Sequence, residues 1–145
     1  MLRKIPDYGG LFRVWCIVKL KGGENWTPIK DALIDTGAHT TIIPSSLSEQ
    51  IEKEVLGDHS VKGLVAKEEC ALPVKVAWVW INIVDREGNE TGELKIRAYL
   101  ASTDEVPLII GFKDLLEKFK LFVDVPERTG YIEKENTVMM PTRFT

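Results

Sequence analysis

Ala32-Leu33-Ile34-Asp35-Thr36-Gly37-Ala38, followed by His39 and then Thr40-Thr41-Ile42-Ile43-Pro44, is the stretch on which the fold of this chain turns. Three apolar residues deliver an acid to a tight turn, and β-branched residues resume directly after it. Gly37 lets the backbone turn sharply and keeps side-chain bulk away from the acid. Thr36 brings a hydroxyl that can fix the loop by hydrogen bonding to backbone. A carboxylate held on such a turn suits general acid–base chemistry. The bland alternative is an Asx turn after a strand. A D-S/T-G triplet arises by chance in on the order of one chain in twenty of this length, so it acquires meaning only from its surroundings.

Those surroundings are mostly strand. Leu11 to Leu20 is rich in β-branched and aromatic residues, with Phe12, Val14, Cys16, Val18 and Leu20 on one face. Gly22-Gly23 then opens a loose turn, and Ile29 to Ile34 reads as the returning arm of a hairpin. Leu72 to Val84 and Glu93 to Ala101 read as a second hairpin around Arg86-Glu87-Gly88-Asn89. Short extended pieces follow at Leu121 to Val125, Tyr131 to Lys134 and Val138 to Met140. Two helices are expected. Ser45 to Leu56 carries a Ser46/Glu49 capping box and an apolar stripe at Leu47, Ile51 and Val55. Phe112 to Phe119 spaces Phe112, Leu115, Leu116 and Phe119 for burial. The expectation is an all-β-dominated single lobe with one or two short helices, a core from about residue 12 to 125 and a C-terminal tail over 126–145.

With 145 residues the chain has the length of one domain and can bury a real core. Nineteen Lys and Arg against 22 Asp and Glu leave a net charge of −3. That balance lacks the excess positive charge that displaces counterions from nucleic-acid phosphates. Two cysteines, Cys16 and Cys70, exclude a disulfide framework and a Cys-rich zinc site. A single bridge between them stays open, with free thiols in a reducing cytosol as the expectation. No segment reads as a signal peptide, and no apolar run approaches the roughly 20 residues that span a bilayer, so a soluble, cytoplasmic protein is expected. H-E-x-x-H, G-x-S-x-G, P-loop and G-x-G-x-x-G patterns are absent. Trp15, Trp26, Trp78 and Trp80 read as core or interface, and His59 as a loop residue without a chemical role.

Leu33-Ile34-Asp35-Thr36-Gly37-Ala38 with its β-branched continuation has a companion, Val106-Pro107-Leu108-Ile109-Ile110-Gly111. Together, in this order, the two motifs resemble those of the retropepsin-like aspartic peptidases, the single-domain class that includes retroviral proteases. The likeness is to cellular, non-viral members at least as much as to viral ones, and it covers about Phe12 to Val125. It implies an acid-protease barrel in which Asp35 is the catalytic acid and Thr36, Gly37 and Ala38 support the active-site loop and line the substrate pocket. Ile109, Ile110 and Gly111 would thread beneath that loop. A flap would lie near Lys62 to Val74, its tip including Val65, Ala66, Lys67, Glu68 and Glu69. Two positions depart from the viral pattern: His39 and Phe112 stand where an acid and an arginine form an ion pair, and both partners are replaced together.

One D-T-G per chain implies a homodimer, with two Asp35 carboxylates meeting across a two-fold axis and the tail after Val125 available for the interface. The activity implied is endopeptidase action on a peptide or protein substrate, with no metal, no organic cofactor, no nucleic acid and no membrane. A different class stays open beside it: a catalytically weak or inactive peptide-binding or dimerisation module with the same fold.

Overall fold

In the computed structural model, residues 13–61, 72–134, 137–141 and 143–144 are described. The strands are β1 (Val14–Gly22), β2 (Asn25–Trp26), β3 (Lys30–Ile34), β4 (Thr41–Ile43), β5 (Glu54–Val61), β6 (Leu72–Val84), β7 (Leu94–Ala101), β8 (Ile109–Ile110), β9 (Lys120–Asp124), β10 (Thr129–Lys134), β11 (Thr137–Met139) and β12 (Arg143–Phe144). One four-residue helix, α1 (Ser45–Ser48), and a 3-10 turn at Leu116–Lys118 complete the set.

Six strands close on themselves. The order β1-β3-β8-β4-β7-β6 returns to β1 through Ile17↔Val84, Val18↔Ile83, Lys19↔Asn82 and Leu20↔Ile81. The result is an all-β, single-lobe fold with a closed six-stranded barrel, compatible with an acid-protease type of barrel. Alternation explains why these segments pair. Val14, Cys16, Val18 and Leu20 of β1 point inward and are buried, and Val79, Ile81 and Ile83 of β6 meet Ile96 and Ala98 of β7 in the same core. The expected hairpins hold: β1 pairs with β3 from Val14↔Ile34 to Val18↔Lys30, and β6 with β7 from Val74↔Ala101 to Ile81↔Leu94. A separate antiparallel sheet, β11-β10-β9, carries the tail back along its own chain, and β12 pairs with β1 at Val14 and Trp15. Residues of the tail expected at a dimer interface are thus paired within the chain.

Neither expected helix survives at its expected length. Over 45–56, only Ser45–Ser48 is helical, with Pro44 at its N-cap and no side-chain cap. The Ser46 N–H donates to Asp104 Oδ1 at 2.8 Å, and the Lys53 ammonium donates to the Ser48 carbonyl at 2.9 Å, closing the helix early. Leu47 and Ile51 do bury, but Val55 stays 49% exposed because it belongs to β5, paired opposite Ala77. Thirteen-residue β6 extends past the barrel and offers a strand edge, and that pairing outweighs a modest helical preference. Over 112–119, the Phe112 and Lys113 N–H groups donate to the carbonyls of Ala38 and His39, and Asp114 takes φ 66°. The left-handed Asp114 and, after it, Leu115 at φ −128° and ψ −84° break the helix. Leu115 and Leu116 reach the core, while Phe112 is 46% exposed.

Candidate functional site

β3 ends in the barrel wall and releases the chain into the loop 35–40, so the fold sets Asp35 at a barrel rim. β8 runs between the two arms of this loop. It pairs in parallel with β3 (Leu33↔Ile109, Ile34↔Ile110) and antiparallel with β4 (Ile42↔Ile109). The bonding continues past the strands. Leu33 N donates to Leu108 O at 2.9 Å and Asp35 N to Ile110 O at 3.0 Å on one side. On the other, Phe112 N reaches Ala38 O at 2.8 Å and Lys113 N reaches His39 O at 2.7 Å. The two motifs separated by some seventy residues in sequence are therefore stitched along both flanks, by backbone alone at the positions of His39 and Phe112.

Gly111 makes this stitching possible. A Cβ there would press into the Thr40 carbonyl carbon and lie 2.7 Å from both Thr40 O and Thr41 N. With hydrogen in its place, Gly111 N donates to the buried Thr41 Oγ1 at 3.0 Å. Ile110 beside it is fully buried in the core, and Ile109, pointing the other way, lines the cleft above.

The turn itself is held by its acid. Gly37 N donates to Asp35 Oδ1 at 2.9 Å, and Ala38 N to Asp35 O at 3.1 Å. Among the described residues no other donor reaches this carboxylate. Asp35 and Ala38 are half-buried, and Thr36 and Gly37 are exposed at the tip. A Cβ on Gly37 would lie 3.3 Å from Asp35 Oδ1, so the small residue keeps that oxygen accessible to the N–H.

Above the turn lies a cleft of about 460 Å³, lined by the 35–40 loop, by Ile42, Tyr99 and Ile109, and by His59, Ser60 and Val61 of β5. Among the described residues, Asp35 is the one carboxylate in this lining. His39 Nδ1 shares a 2.9 Å hydrogen bond with Thr40 Oγ1, and the His59 ring lies tilted against Tyr99 with centroids 5.4 Å apart. A larger cleft of about 510 Å³ adjoins it, sharing His59 and Ser60 and floored by Val74, Leu100 and Ala101. The smaller one is the candidate site because it contains the acid and its braced loop. The expected flap-tip residues Val65, Ala66, Lys67, Glu68 and Glu69 lie outside the described residues; β5 and β6 pair up to Val61↔Leu72 on either side of them.

The sequence reading assigned no role to His59 and took its surroundings for a loop. It sits instead on a strand in the wall of the Asp35 cleft. Nothing local signals this, since only the pairing of β5 with β6 and the position of Tyr99 on β7 bring it there.

Other ionisable groups are structural. Burial pushes the Asp114 carboxyl up, but the Arg97 side chain and backbone N–H, both donating to Oδ2 at 3.1 Å, outweigh it and hold it below its ordinary value. Burial drives the Cys16 thiol up to about 12, with the Asp31 charge adding to it. Among the described residues no group of three or more His, Cys, Asp and Glu side chains is placed to hold a metal ion, and no helix is long and apolar enough to cross a membrane. No family model matches the chain, and no curated protein matches it.

Proposed function

We propose that the protein is a retropepsin-like aspartic endopeptidase that works as a homodimer. The observation that carries this reading is the Asp35 loop: a half-buried carboxylate at the floor of a cleft, braced on both flanks by the segment ending in Gly111.

A single carboxylate activates water poorly, because peptide hydrolysis needs a base for the water and an acid for the carbonyl. Two carboxylates brought together cannot both ionise easily, so one keeps its proton while the other stays charged. Among the described residues Asp35 is the one acid lining the cleft, and a second copy related by a two-fold axis would supply the other. The exposed Thr36 and Gly37 at the loop tip favour such a meeting. The ionised Asp35 takes a proton from water as its oxygen attacks the scissile carbonyl. The protonated Asp35 hydrogen-bonds the carbonyl oxygen, and the tetrahedral intermediate collapses as the leaving nitrogen is protonated. An extended substrate would lie along the cleft beneath the β5–β6 arms, with Ile42, Val61 and Ile109 favouring apolar side chains at the scissile bond. A cytoplasmic setting fits a chain whose Cys16 is a buried free thiol.

Cleavage of a diverse peptide mixture between about pH 4 and 7, followed by mass spectrometry, tests the reading. Cuts by the wild type that vanish with Asp35→Asn support it. Cuts that persist in the variant remove Asp35 from the chemistry. The lone carboxylate of each chain supports a second reading, a peptide-binding module without turnover. A chain that stays monomeric by sedimentation while binding peptides would favour that one.

A further inference from the structure

The chain has two histidines, twenty residues apart, and both line the cleft that holds Asp35. His39 follows the acid loop, whereas His59 arrives on β5 from the opposite wall. Each is held by a neighbour that leaves polar edges of the ring for a ligand. His39 is bonded through Nδ1 to Thr40 Oγ1, which leaves Nε2. His59 packs against Tyr99 in a tilted ring pair, the planes 31° apart, and no hydrogen bond to its nitrogens is made among the described residues. The Tyr99, Thr40 and Ser60 hydroxyls also line the cleft, and among the described residues its one carboxylate, Asp35, lies on the floor.

Among the described residues, no acidic side chain is hydrogen-bonded to either ring. Asp58, next to His59 on β5, is bonded to Lys75 of β6 at 3.1 Å. Glu49 and Lys53 line the adjoining cleft, and Lys53 is engaged with the Ser48 carbonyl. Lys113 is bonded through its backbone to His39 and lies 3.9 Å from Glu117 through its ammonium. Among the described residues lining the cleft, Asp35 is the one carboxylate.

We propose that His39 and His59 form an anion-recognising wall, so that the peptide taken by this cleft carries an Asp or Glu side chain beside the residue lying over Asp35. An imidazolium offers a charge-assisted hydrogen bond to a carboxylate, and a neutral imidazole offers at most one weaker donor. The preference for the acidic side chain is therefore expected to be greater at pH 5.5 than at pH 7.5. This deepens the peptidase reading, since it names the substrate class of the same cleft.

The test uses two pools of twelve-residue peptides, identical except that one contains Asp and Glu where the other contains Asn and Gln. Binding to the full-length Asp35→Asn protein is read at pH 5.5 and 7.5, which separates recognition from turnover. A three- to fivefold enrichment of the acidic pool at pH 5.5, smaller at pH 7.5, is expected for roughly one partly exposed charge pair. It should vanish in protein also carrying His39→Gln and His59→Gln, and persist with Lys53→Ala. Equal binding of the pools, binding of neither, or enrichment indifferent to the double histidine change overturns the proposal. Wild-type cleavage without acidic preference would leave the peptidase reading standing and remove the wall. Acidic enrichment with no wild-type cleavage would support the wall and count against the peptidase.

Discussion

Replacing Gly111 by alanine adds one methyl group where the barrel has no room. Its Cβ would lie 2.7 Å from Thr40 O and Thr41 N and press still closer to the Thr40 carbonyl carbon. Non-bonded heavy atoms settle near 3.5–4.0 Å, so relief requires a shift of roughly 1 Å. All three neighbours are backbone, so no side chain can swing aside. Overpacking of this kind costs about 1–3 kcal/mol. Parting the strands also weakens the buried Gly111 N to Thr41 Oγ1 bond, adding roughly 1 kcal/mol. The expected loss is about 3 kcal/mol, which in a domain of this size lowers Tm by roughly 10 °C. Urea unfolding measures it, with Gly57→Ala as the control: a Cβ there meets nothing within 4 Å, so its change should stay within about 0.5 kcal/mol. Amide exchange gives a local readout, because Phe112 and Lys113, which donate to the Asp35 loop, should exchange faster in the Gly111 variant. Unfolding within 0.5 kcal/mol of wild type, or an equal loss in the control, would refute the claim that close backbone approach at Gly111 braces the loop.

Thr41→Val keeps the shape of a fully buried side chain but leaves the Gly111 N–H unpaired, so urea unfolding should show a loss of about 1–3 kcal/mol. Asp85 caps the β6–β7 turn and holds the tail: its oxygens accept from Glu87 N, Asn89 N, Asn89 Nδ2 and Met140 N. Burial pushes its carboxyl up, yet these hydrogen bonds outweigh burial and keep it below the ordinary 3.8. A depressed value stabilises the fold above about pH 4, and that contribution is lost as the pH falls below 3.8 through the folded-state value. Thermal melts of wild type against Asp85→Asn should thus differ most near neutrality and converge in acid, and a constant gap would count against the assignment. Cys16, with its thiol pushed up to about 12, should resist alkylation at pH 8 in the folded protein and react once it is unfolded, as read by peptide mapping.

The parts legible in the sequence are those where local pattern and tertiary demand agree. β6 runs from Leu72 to Val84 as the β-rich run suggests, and the loop at Asp35 follows from an acid and a glycine after an apolar strand. The failures have a common physical source. At Val55 a helical stripe met the open edge of β6, and strand pairing won. At Phe112 the periodicity was helical, but Asp114 turns to φ 66° and its carboxylate accepts from Arg97 of β7. Neither β6 nor Arg97 is near in sequence. His59 was illegible for the same reason, because its place in the cleft depends on which strand becomes the neighbour of which.

The insertion of β8 between β3 and β4 also sets an order of events in time. The Asp35 turn leaves the ribosome some seventy residues before the segment that braces it, Leu108 to Lys113. Closure of β1 onto β6 likewise joins residues more than sixty positions apart. A partly made chain thus holds its acid on an unsupported loop, and the cleft assembles as one of the last acts of folding. Contacts of such long range make folding slow relative to a helical domain of equal length. The same topology keeps the reactive loop unformed until nearly the whole barrel exists to contain it.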